Sequence, residues 1–309
     1  MKWQVIPAIV LGLTALPAPA QASAPDVVAA VKRLQSQGAA VKIYQRTSAG
    51  WPEDPRVEAL PTRECGRRDD APVVTGLAKL GRGGVVAADV RRKVVTQECP
   101  LRFLKEDAAG GDRRAADQVK IASAVHRVRA AGGRLYVSGP AYGGGAGWRA
   151  LGRASAGAAL YGDQIIDPFD VDTLKFLVRT ATINRAGPPL HDADNRRTGK
   201  TWAYRGTTTF AALFRASKPF RDMLGGRLDP QVGRISFMYG VHTDLSGRPV
   251  TVITVWRTDQ ALRMRGAKSA TRYSWDVKAA VPAPAATVGA GRDPYGDDLL
   301  DALKLDALK

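Results

Sequence analysis

Apolar residues recur at helical spacing along some stretches of the chain and alternate with polar ones along others. Within residues 25–37, Val27, Val28, Val31 and Leu34 fall on one helical face behind Asp26, which predicts a helix with an acidic start. Residues 41–44 alternate and predict a short strand, whereas 46–75 are turn-rich, without a clear period, and read as a long loop. Two β-branched runs in 85–95 predict one or two strands ending near Cys99. Val119, Ile121, Ala122, Val125 and Val128 keep helical spacing through 117–131, and Gly132-Gly133 stops that helix before a strand at 134–138.

The second half repeats both patterns. Leu174, Leu177, Val178 and Ala181 form a helical stripe for which Asp170 or Asp172 supplies the N-cap. Phe210, Leu213, Phe214 and Phe220 predict a helix over 207–224, bent or broken at Pro219. Residues 234–241 and 250–256 form the clearest β signal and predict an antiparallel hairpin, to which 273–277 adds a third strand. The expected fold class is α+β, with mixed helices and antiparallel strands and a disulfide-pinned N-terminal portion. The boundaries are a leader at 1–22, the N-terminal portion at 23–110, the main core at 111–278, and a linker with a short terminal helix at 279–309.

The leader fixes the expected compartment. Met1-Lys2, an apolar run from Val5 to Leu16 and the small-x-small site Ala20-Gln21-Ala22 together read as a secretory signal peptide. The run is too short to span a bilayer, and no later stretch is long and apolar enough, so the exported chain is expected to be periplasmic or secreted without a transmembrane segment. In an oxidising compartment, Cys65 and Cys99 are expected to pair. Their loop of about 35 residues corresponds to a stabilisation on the order of 3–4 kcal/mol.

Charge narrows the partners. The 309-residue chain carries 46 Lys plus Arg against 29 Asp plus Glu, and 32 of the 46 are Arg. A charge of +17 concentrates anionic polymers around a protein, although the arginines are scattered along the chain without forming one run. The tandem Leu-Asp-Ala-Leu-Lys at the C-terminus makes a marginal helix that can dock on the body or on a protein partner.

The candidate chemistry lies in loops. Gly145-x-Gly147-x-x-Ala150 imitates a dinucleotide fingerprint before an expected small-residue helix, yet a chain exported unfolded does not bring a nicotinamide cofactor, and no cofactor is expected. Tyr142 and Trp148 flank that glycine loop, and Trp202 and Tyr204 form a second aromatic pair; exposed rings of this kind stack on sugars or bases. Among Asp163, Asp167, Asp170 and Asp172, Asp163 is kept as a site candidate. His191 sits in a polar loop with Asp194, and His242-x-Asp244 sits at the hairpin end. Those groups could supply a general base oriented by a carboxylate, or a two-His, one-Asp metal set, although their spacing does not show that they meet.

Two functions follow. The first is a basic protein binding an anionic cell-envelope polymer or surface, with Tyr142, Trp148, Trp202 and Tyr204 as contacts. The alternative is an extracytoplasmic hydrolase of cell-wall or nucleic-acid substrate using His191, His242 and Asp244. No Gly-x-Ser-x-Gly or Ser-x-x-Lys nucleophile motif accompanies the histidines.

Overall fold

A computed structural model describes residues 23–50, 71–95, 98–139, 147–153, 164–224, 226–257, 266–278 and 280–289. Two antiparallel meanders share a single sheet. The first comprises β1 (Ala40–Gly50), β2 (Ala71–Gly81), β3 (Gly84–Val95), β4 (Val125–Ala131), β5 (Arg134–Ser138) and β6 (Arg149–Arg153). The second comprises β7 (Ile183–Gly187), β8 (Thr201–Thr209), β9 (Ser236–Asp244), β10 (Pro249–Trp256) and β11 (Gly266–Ser274). Strands β1 and β11 join them, giving the order β6-β5-β4-β3-β2-β1-β11-β10-β9-β8-β7.

The helices are α1 (Val27–Ser36), α2 (Glu98–Ala109), α3 (Arg113–Ser123), α4 (Val171–Thr180), α5 (Phe210–Ala216), α6 (Lys218–Met223) and α7 (Pro230–Gly233). Asp26 caps α1 by accepting from the Ala29 amide at 2.9 Å, and Asp170 caps α4 through the Thr173 amide at 2.9 Å. Each such cap is worth about 1 kcal/mol. Helices α5 and α6 are separated at Ser217, which caps α6 through the Phe220 amide ahead of the Pro219 turn.

This architecture corrects the expected fold class: the frame is one large antiparallel sheet, and the strands of the expected N-terminal portion are built into it. Strands β1 to β3 lie within that sheet, Cys99 is the second residue of α2, and Cys65, its expected partner, lies outside the described residues; no disulfide occurs among the described residues. The leader at 1–22, Tyr142, Asp163 and the C-terminal repeat likewise lie outside them.

The helix expected over 117–131 is instead the end of α3 followed by β4. Burial alternates along β4, with His126, Val128 and Ala130 inside, so period two overrides the apparent helical spacing. Gly132 and Gly133 take φ values of 58° and 72° and form the turn between β4 and β5. After the glycine loop, where a small-residue helix was expected, residues 149–153 form β6.

One face of the sheet carries the core. Ile43, Val74, Val90, Val128, Val241, Val252 and Tyr273 point to it, together with Trp202 and Tyr204. Helix α1 contributes Val27, Ala30, Val31 and Leu34, while α4 contributes Leu174 and Leu177. Tyr239 Oη donates to the Leu177 carbonyl at 2.8 Å, tying α4 to this face. Phe210 stacks on Phe237 at 5.1 Å and meets Trp256 edge-on at 5.5 Å, closing the core near α5.

The opposite face is crossed by a strap. After β11 the chain runs back over the first meander, where Arg129 Nη1 donates to the Pro282 carbonyl at 3.4 Å. It ends along β6, with the Val288 amide donating to Trp148 O at 2.8 Å and the Ala150 amide to Gly289 O at 3.1 Å. Within the expected linker, Pro282 therefore meets β4, and Val288 and Gly289 bond along the β6 edge.

Strands β2 and β3 approach closely at Gly76, where a Cβ would stand 2.2 Å from the Asp89 carbonyl oxygen and 2.6 Å from Val90 Cα. Gly76→Ala is expected to lose about 1–3 kcal/mol through overpacking. At roughly 2–4 °C per kcal/mol this lowers the melting temperature by several degrees. Gly199→Ala, with open space around the new methyl, should melt as the parent does. Thermal unfolding followed by circular dichroism checks both.

Candidate functional site

The sequence-derived histidine site comes apart in three dimensions. His242 lies on β9 and is 1% exposed; its Nε2 accepts from Arg205 Nε at 3.3 Å, and its Nδ1 has no partner among the described residues. Burial, reinforced by the Arg205 charge, lowers its pKa to about 4, so the ring is neutral at physiological pH. Asp244 does not orient it. One oxygen, Oδ1, accepts from Ser246 N, Ser246 Oγ and Arg248 N at 2.9, 2.6 and 3.0 Å, while Oδ2 accepts from Arg248 Nε at 2.7 Å. The carboxylate is spent on the β9–β10 turn, and these bonds hold its pKa below the usual range against the opposing effect of burial.

His191 is exposed, and its backbone bridges to Arg197. Within the same loop, Asp192 accepts from the Asp194 and Arg196 amides, each at 2.9 Å, and from Arg196 Nε at 3.1 Å. Asp194 pairs with Lys42, and its amide donates to Ser274 Oγ at 3.1 Å, pinning the loop over β1 and β11. Both loop carboxylates thus serve the turn. Among the described residues no three His, Cys, Asp or Glu side chains gather closely enough to hold a metal ion.

The aromatic candidates also separate. Trp202 and Tyr204 belong to the core face, 8% and 1% exposed. Trp202 Nε1 donates to Asn184 Oδ1 at 2.5 Å, and Tyr204 Oη donates to the Pro25 carbonyl at 2.8 Å. Burial, with the Asp26 charge adding to it, pushes the Tyr204 phenol up to about 12. Trp148 is on the opposite face beside β6, where the guanidinium carbons of Arg127 and Arg129 stand 5.1 and 4.6 Å from its ring centroid. Both arginines are ion-paired with Asp89.

What the sheet does assemble is a cationic surface. Cross-strand register places Ile253, Ala270, Arg46, Val73, Lys93 and Val125 in one line across β10, β11, β1, β2, β3 and β4. The adjacent line runs Thr251, Arg272, Tyr44, Thr75, Arg91 and Arg127. Lys268 follows on the other side, opposite Val255, which faces Met238. Arg46, Arg91, Lys93 and Lys268 are exposed, and together with Arg272 they have no acidic partner among the described residues. Arg272 instead covers the Tyr44 ring at 5.8 Å.

No family model matches the chain, and no curated protein matches it. Among solved structures, a LolA superfamily protein from Nitrosomonas europaea aligns over 82% of this chain and 93% of its own, at 11% identity and a TM-score of 0.32. A domain described as an outer membrane lipoprotein-sorting protein, from Vibrio parahaemolyticus, aligns over 83% of this chain and 94% of its own, at 7% identity and a TM-score of 0.27. Both alignments are long and shallow, and neither defines a common fold.

The buried histidine has a measurable signature. Because the folded His242 pKa is about 4 against an ordinary 6.5, the unfolded chain binds the extra proton first, and stability falls as pH drops from about 6.5 through 4. Buried His126, also lowered to about 4, acts in the same direction. Asp167, raised by burial to about 7, acts oppositely, because its folded form prefers the proton and loses stability as pH rises from its ordinary value towards 7. In His242→Gln, the melting-temperature deficit relative to the parent should therefore narrow between pH 7 and pH 4. A constant deficit would show that His242 does not titrate with unfolding.

Proposed function

We propose that the protein is a non-catalytic, extracytoplasmic binding protein, periplasmic or secreted, that holds an anionic component of the cell envelope on the face of its sheet opposite the core. The single observation that carries this reading is the clustering of Arg46, Arg91, Lys93, Lys268 and Arg272 on that face without acidic partners among the described residues. Alternation sends every second side chain of β3, β1 and β11 outward, so cations scattered in sequence become neighbours across strands about 4.8 Å apart. Such a surface attracts a polyanion over a distance of about one Debye length and then exchanges its counterions for direct contacts. Trp148, packed against Arg127 and Arg129, borders the face at β6.

The reading predicts steep salt dependence. Binding of long-chain polyphosphate, a soluble polyanion, should weaken at least about tenfold from roughly 50 to 200 mM salt. The triple variant Arg46→Gln, Arg91→Gln, Lys93→Gln should lose most of that affinity while melting like the parent, since all three side chains are exposed and have no acidic partner among the described residues. Equal binding by parent and variant, or a flat salt response, would remove this face as the site. Titration calorimetry at two ionic strengths distinguishes the outcomes.

A further inference from the structure

We propose that the anionic component is a lipid bilayer surface, met by the exposed cationic lines of this sheet face; this rests on the reading above and names its partner. The cations do not stand alone. In the line across β10, β11, β1, β2, β3 and β4, apolar and cationic side chains interleave: Ile253 and Ala270, then Arg46, then Val73, then Lys93, then Val125. Val125 is 49% exposed and Met238, beyond Val255 on β9, is 54% exposed; Ile253, Val255 and Val73 are half-buried.

A soluble glycan offers hydroxyls and gains nothing from valine or methionine, and this line provides it with no amide or carboxylate side chains for hydrogen bonding. A bilayer interface offers phosphates to the guanidinium and ammonium groups and a wet hydrocarbon boundary to the apolar ones. Long Arg and Lys stems lie along apolar surface while their charged ends reach outward, which matches the interleaved order. Six strands about 4.8 Å apart make a platform roughly 24 Å wide, broad enough to meet several headgroups at once. No helix among the described residues is long and apolar enough to cross a membrane, and the proposed contact is a peripheral one through the sheet face.

The test uses vesicles of phosphatidylcholine alone and vesicles containing about one-third phosphatidylglycerol, with co-sedimentation of the full chain. Each cation near an anionic surface contributes roughly fivefold in affinity, so Arg46→Gln, Arg91→Gln, Lys93→Gln should bind the anionic vesicles on the order of 100-fold less tightly. A second variant, Val125→Thr, Ile253→Thr, Met238→Gln, should lose about tenfold on anionic vesicles yet keep parental affinity for polyphosphate. Polyphosphate binding with no preference for anionic vesicles would overturn the lipid assignment and leave the cationic reading standing. Failure to bind either probe would overturn both. Parental vesicle affinity in the apolar variant would likewise overturn the interfacial docking proposed here.

Discussion

The pairing of β1 with β11 is the constraint on which the sheet depends. Nine residue pairs, from Lys42 opposite Ser274 to Gly50 opposite Gly266, join two meanders that otherwise share no strand pairing. Thr47 Oγ1 donates to Ser269 Oγ across a sequence separation of 222 residues, inside the core at this joint. Closing so large a loop carries an entropic cost that local hairpins do not, and folds dominated by such contacts form slowly. The joint also makes the cationic line continuous, since Arg46 from one meander sits opposite Ala270 from the other.

Local features were legible in the sequence where a single chemical signal decided them. Asp26 announced its helix, the pair Asp170 and Asp172 announced the other, with Asp170 the actual cap, and the hairpin of β9 and β10 was visible from its β-branched runs. Strand β4 was misread because Val125 and Val128 are three apart, a spacing compatible with a helix, while the inward residues are His126, Val128 and Ala130. A buried histidine and a small alanine leave period two with little hydrophobic contrast. Strand β7 gives still less, since almost all of it is exposed. The continuous sheet was illegible for another reason: strand order is set by contacts between distant segments, and nothing local to residues 40–50 specifies a partner at 266–274.

The site was hidden by the same non-locality. Arg46, Arg91 and Arg272 look dispersed along the chain and meet only through register. The alternation of Arg91, Arg92 and Lys93 was available as a hint, because a strand must send its middle residue to the other face; Arg92 is indeed 4% exposed between two exposed cations. Scarcity drew attention to the histidines instead, but His242 is rare, buried and neutral, occupied with Arg205. Its neighbour Asp244 resembles a catalytic partner in sequence because carboxylates that nucleate turns and carboxylates that orient bases use the same spacing.

An open sheet has two ends, and here they are unequal. At β6 and the residue before it the strap exchanges two backbone hydrogen bonds with an edge that would otherwise invite another chain, whereas β7, at the far end, has no strand on its outer side among the described residues. A molecule with two bare edges can add copies indefinitely at both ends, building a fibril. With one edge blunted, edge-to-edge association through β7 is self-limiting: two copies consume each other's free strand and stop.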